Sequence, residues 1–154
     1  MKIIITINGK TKEFEIDPRE SLLDFLRREG YFGVKKGCES GDCGSCTIIM
    51  NGRAVKSCLL LVAQAHETEI ITIEGIGTAE APHPLQSAFV ETGGIQCGFC
   101  VPGMILSAKT LLDKNSDPSE EEIKLVLSGN LCRCTGYLKQ IEAVQLAAKR
   151  IRGE

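Results

Sequence analysis

No apolar run in this 154-residue sequence approaches the roughly 20 residues that cross a bilayer. The opening Met1-Lys2-Ile3-Ile4-Ile5-Thr6 is too short for the core of a secretion signal and has no small-residue cleavage site after it. Arg27-Arg28 falls inside a predicted helix, which argues against a twin-arginine export signal. The expected compartment is therefore the cytoplasm. Histidine is scarce: His66 and His83 are the only two. No Ser/His/Asp grouping, phosphate-binding loop or dinucleotide fingerprint is present. Neither charge dominates, with 18 Lys and Arg against 20 Asp and Glu, and no basic patch suggests nucleic acid as a partner.

Cysteine is what the sequence has in quantity. All eight fall into two sets of four. Cys38, Cys43, Cys46 and Cys58 read C-x4-C-x2-C-x11-C, the plant-type ferredoxin spacing for one [2Fe–2S] cluster. Gly37, Gly41 and Gly44 are interleaved with them, so a tight loop can turn its amides toward sulfur. Structural zinc sites pair C-x2-C with a second close pair or with histidines, and the x4 gap departs from that. Cys97, Cys100, Cys132 and Cys134 read C-x2-C-x31-C-x-C, and from spacing alone a four-cysteine zinc site remains open there. A disulfide framework fits poorly with a reducing compartment. A chain that spends its cysteines this way and offers little else for chemistry reads as an electron conductor.

The two sets coincide with two kinds of secondary structure. Lys2–Asn8 and Lys10–Ile16 flank Asn8-Gly9, and a second predicted hairpin turns at Asn51-Gly52. Between them Ser21 caps a predicted helix running through Glu29. A short helix over Leu59–Ala65 and a last strand over Glu69–Ile73 complete a β-grasp pattern. A linker rich in Gly, Ala and Pro, Gly75–His83, follows. Beyond it the pattern predicts four helices, over Pro84–Glu91, Pro102–Asp113, Pro118–Ser128 and Tyr137–Arg152, with short connections. The expected fold class is α+β: a plant-type ferredoxin domain of β-grasp type over residues 1–76, then a four-helix bundle over 77–154 carrying the second set. Halves this small have marginal cores, and bound metal would add stability.

Three stretches carry a family resemblance: Gly37–Cys46, Gln96–Met104 (Gln-Cys-Gly-Phe-Cys-Val-Pro-Gly-Met) and Gly129–Tyr137 (Gly-Asn-Leu-Cys-Arg-Cys-Thr-Gly-Tyr). Together they resemble the small iron–sulfur subunit of the molybdenum hydroxylases, the family of xanthine dehydrogenase, aldehyde oxidoreductase, carbon monoxide dehydrogenase and nicotinate dehydrogenase. The resemblance covers nearly the whole chain, with Val101 in place of a frequent threonine. It implies a second [2Fe–2S] cluster at Cys97, Cys100, Cys132 and Cys134. It also implies a large partner with a molybdopterin-type molybdenum cofactor, a medium partner with FAD, and a dimer of such heterotrimers. The helical-domain cluster would lie nearer molybdenum and the ferredoxin-domain cluster nearer flavin, with Gln96 and Cys134 touching the pterin.

Other readings fit less well. A free-standing ferredoxin needs no helical half. The iron–sulfur subunits of succinate and fumarate enzymes continue with C-x2-C-x2-C-x3-C runs, which are missing. A zinc interaction module would be colourless. His66 and His83 are expected on surfaces or loops, Met50 and Met104 in cores, and Tyr137 in packing. Glu120, Glu121 and Glu122 are expected to form a solvated first turn of a helix.

Overall fold

The computed structural model describes residues 1–154. Its first half is a five-stranded mixed sheet in the order β2-β1-β5-β3-β4, from β1 (Lys2–Ile7), β2 (Lys10–Glu15), β3 (Thr47–Met50), β4 (Arg53–Lys56) and β5 (Glu69–Ile71). Strand β1 is antiparallel to β2 and parallel to β5, while β3 is antiparallel to β4 and to β5. The period-two pattern of β1 buries Ile3, Ile5 and Ile7 on one face. Both hairpins close on two-residue turns with positive φ at each position, Asn8 (50°) with Gly9 (76°) and Asn51 (49°) with Gly52 (76°). That is the type I′ geometry the Asn-Gly pairs favour.

Helix α1 (Leu22–Arg28) lies on the buried face of the sheet and contributes Leu22, Leu23, Phe25 and Leu26 to its core. Its N-cap is Ser21, whose Oγ accepts from the Asp24 amide at 3.0 Å. Phe25 meets Phe14 edge to face at 5.1 Å between ring centroids. The short helix expected over Leu59–Ala65 is instead two 3-10 turns, Ser57–Leu59 and Val62–Ala65. Between them the backbone is drawn out, because Leu60 O accepts from Leu22 N and Val62 N donates to Glu20 O.

The second half is helical: α2 (Pro84–Glu91), α3 (Val101–Leu112), α4 (Glu120–Leu127) and α5 (Leu138–Arg152). Their shared core is built on Leu85, Phe89, Met104, Ile123 and Val144, all fully buried. Helix α4 begins two residues later than expected. Ser119 is its N-cap, and Glu122 reaches back to the Ser119 amide in a capping box. His83 caps α2, its Nδ1 accepting from Leu85 N at 3.2 Å while the Gln86 side chain accepts from the His83 amide.

The halves meet along α3, which packs against β3. They approach backbone to backbone. A Cβ on Gly103 would stand 2.4 Å from Gly44 O, and one on Gly44 would stand 2.2 Å from Gly129 O. No larger residue fits at either position without the domains separating. No helix is long and apolar enough to cross a membrane.

Candidate metal centres

The first cysteine set sits on the loop between α1 and β3, with Cys58 supplied by the 3-10 turn after β4. Gly41 (φ 85°) and Gly44 (φ 75°) take left-handed conformations that wrap the loop. Its amides turn inward as the glycines predict: Cys38 Sγ accepts from Ser40 N at 3.4 Å and from Cys43 N at 3.3 Å. Those donors, Cys43 foremost, pull the Cys38 thiol down to about 6. Cys58 goes the other way, to about 11, through burial and then the neighbouring Cys46 thiol. At Gly37 a Cβ would lie 2.7 Å from Cys43 Sγ, so only glycine lets the chain pass the sulfur.

The second set gathers from two loops. Cys97 and Cys100 lie between α2 and α3, with Cys100 as the α3 N-cap, and Cys132 and Cys134 lie between α4 and α5. Cys134 Sγ is 3.6 Å from Cys97 Sγ. Two thiolates on one tetrahedral metal at ~2.3 Å stand about 3.8 Å apart, so this pair needs almost no adjustment to share an ion. Cys100 is pushed up to about 12 by burial and then by Cys132. Burial also acts to raise Cys132, but the Thr135 hydroxyl and the Cys134 and Thr135 amides outweigh it and hold that thiol below its ordinary value. Cys134 is raised, first by its contact with Cys97.

The thiols thus approach in twos: Cys38 with Cys43, Cys46 with Cys58, Cys97 with Cys134, and Cys100 with Cys132. A dinuclear core takes its four ligands as two pairs, one on each iron, and this donor set fits it. Thiols this close cannot all ionise unless cationic metal lies between them.

The two sets are directly joined. Leu131 N donates to Cys43 O at 2.8 Å, which places the residue before Cys132 against a cysteine of the first set. Asn130, fully buried, donates from Nδ2 to Gly44 O at 3.0 Å and accepts from Ser107 Oγ at 2.8 Å. The Lys56 ammonium donates to Gly129 O. Cysteines of both sets border one cavity of about 310 Å³, with Phe99, Leu131 and Arg133 on its wall. Gln96 is exposed beside Cys97 and does not cap α3. His66 is exposed, its Nδ1 accepting from Ile4 N. Tyr137 does more than pack: its hydroxyl accepts from Cys132 N at 2.8 Å, and its backbone holds φ at 73°. Its place three residues after the C-x-C pair puts it near the loop but does not encode that bond.

Known proteins share this arrangement. Residues 5–70 match a family model described as "2Fe-2S iron-sulfur cluster binding domain", and residues 72–145 match one described as "[2Fe-2S] binding domain". The small FeS subunit of nicotinate dehydrogenase from Eubacterium barkeri is 50% identical over 149 residues, 96% of this chain and 95% of that subunit. Among solved structures, aldehyde oxidoreductase from Desulfovibrio gigas superposes with a TM-score of 0.95 at 46% identity, over 99% of this chain but 17% of that one. Quinoline 2-oxidoreductase from Pseudomonas putida 86 superposes with a TM-score of 0.93 at 46% identity, over 100% of this chain and 98% of that one.

Proposed function

The chain belongs to the small iron–sulfur subunits of the molybdenum hydroxylase family, and we propose that its two thiol sets hold two [2Fe–2S] clusters wired in series: Cys38, Cys43, Cys46 and Cys58 hold one, and Cys97, Cys100, Cys132 and Cys134 the other. It is the electron-transfer subunit of an oxidoreductase complex. When bound, each cluster supplies one-electron redox chemistry. The observation that carries the reading is the hydrogen bond from Leu131 N to Cys43 O, which ties the two donor sets together by a single short link.

The surroundings suit a relay held between larger partners. Phe99, Leu131 and Leu138 are 46%, 54% and 70% exposed around the second set, an apolar surface that a stable partner would cover. We assign that face to a large molybdenum subunit. Gln96 and Cys134, both exposed there, are placed to meet the edge of its pterin, since an amide offers a donor and an acceptor side by side. The first set then faces the next acceptor, an FAD subunit in our reading, within a cytoplasmic dimer of heterotrimers. We divide the chain into domains of 1–76 and 77–154, a reading that the two separate cores support.

Metal and sulfide analysis of the purified complex tests this. The expected content is about four irons and four acid-labile sulfides per chain. Stoichiometric zinc, or half that iron in protein prepared without oxygen, would overturn it.

A further inference from the structure

The second cysteine loop contains an oriented hydrogen-bond relay that ends on a sulfur. Gln140, on the first turn of α5, is fully buried. Its Nε2 donates to Gly94 O at 2.9 Å and to Thr135 Oγ1. Gly94 O can only accept, so the amide cannot be flipped: its nitrogen must face that carbonyl. The same nitrogen's second hydrogen then goes to Thr135 Oγ1, which becomes an acceptor. The hydroxyl's own proton is left pointing to Cys132 Sγ, 3.1 Å away. A metal-bound thiolate has no proton to give, so the direction is the same in the loaded protein.

Gln140 Oε1 finds no partner although it is buried. An orphaned acceptor of this kind costs free energy. The two hydrogen bonds made by its nitrogen, to Gly94 O and Thr135 Oγ1, offset that cost.

We propose that the Gln140–Thr135 relay sets the reduction potential of the second cluster by fixing an O–H···S hydrogen bond on Cys132, with Thr135 as the donor and Gln140 as the residue that positions it. The proposal rests on the cluster assignment above. Reduction adds one electron, and with it one negative charge spread over iron and sulfur. A hydrogen bond to a ligand sulfur stabilises the more negative form, so the relay raises the potential. Electrons arriving from the molybdenum side are thereby drawn onto this cluster before passing to the first.

The test is a reductive titration of the purified complex followed by EPR. In T135V one of two centres becomes about tenfold harder to reduce at a given poise, a shift of about 59 mV for one electron, and the other is unmoved. T135S, which restores the hydroxyl, returns the potential toward that of the unmodified protein. Q140M leaves the hydroxyl in place but unoriented and gives a smaller fall. The double variant T135V/Q140M matches T135V, because Gln140 acts only through Thr135. Unaltered potentials in T135V with full iron content would overturn the relay. Should T135V fail to retain its cluster, unaltered potentials in Q140M would do the same. An unmodified complex without two titrating [2Fe–2S] centres would instead overturn the cluster assignment.

Discussion

Gln96 stands exposed one residue before Cys97, and Cys97 Sγ faces Cys134 Sγ. In the function proposed above, this exposed amide beside two thiols meets a cofactor on another chain. Q96A is expected to keep the full iron content of the complex while weakening pterin retention about fivefold, the equivalent of one net hydrogen bond of ~1 kcal/mol. Pterin analysis after gel filtration measures it; unchanged retention would remove Gln96 from the cofactor site. The motifs alone single out Gln96 and the eight cysteines as candidates. They do not reveal the work of Thr135, Tyr137 and Gln140. Their side chains act through hydrogen-bond directions, which residue type and spacing do not encode.

Most elements were legible because local signals and burial agree. Asn-Gly marked both hairpins and with them β1 and β2, and Ser21 marked the start of α1. The misread boundaries have physical causes. Pro118 suggested a first turn, but the reciprocal bonds of Ser119 and Glu122 place the start of α4 at Glu120. Pairing beside α1 stretched Leu60 and Leu61 where helical spacing alone predicted a helix. The cap of α2 was hidden because histidine is an uncommon N-cap. Burial, and then Lys109, depress the His83 pKa below its ordinary 6.5. Protonation would also remove the Nδ1 acceptor used by Leu85 N. The folded state therefore binds fewer protons than the unfolded one. The stability due to the neutral imidazole is complete above pH ~6.5 and declines as pH falls toward the folded value. Denaturant unfolding at about pH 7 and about pH 5 should show a loss on the order of 1 kcal/mol, the usual worth of an N-cap. H83N, whose cap does not titrate in this range, should flatten that part of the profile.

At the scale of the molecule, two cores act as one part because their loops interlock. Asn130 lies 86 positions from its Gly44 partner, a pairing no local pattern announces. N130A would remove the bridge to Gly44 and strip Ser107 Oγ of its buried acceptor. The loaded protein should lose about 2 kcal/mol, read from denaturant curves followed by visible cluster absorption. Stability within a few tenths of a kcal/mol of the unmodified protein would show that the interlock rests elsewhere, on Lys56 and the glycine contacts.

The interlock also bears on ancestry. The spacing between the two thiol sets is set by bonds inside this chain, from Leu131 to Cys43, Asn130 to Gly44 and Lys56 to Gly129. A part that carries its own internal ruler can be spliced into a longer gene or cut free from one without being recalibrated. Relatives keep it both ways, as a separate small subunit and as a minor stretch of a single long polypeptide. Gene fusion and fission around this module should therefore have been nearly neutral for the wiring within it, leaving selection to act on the outer faces where it meets its neighbours.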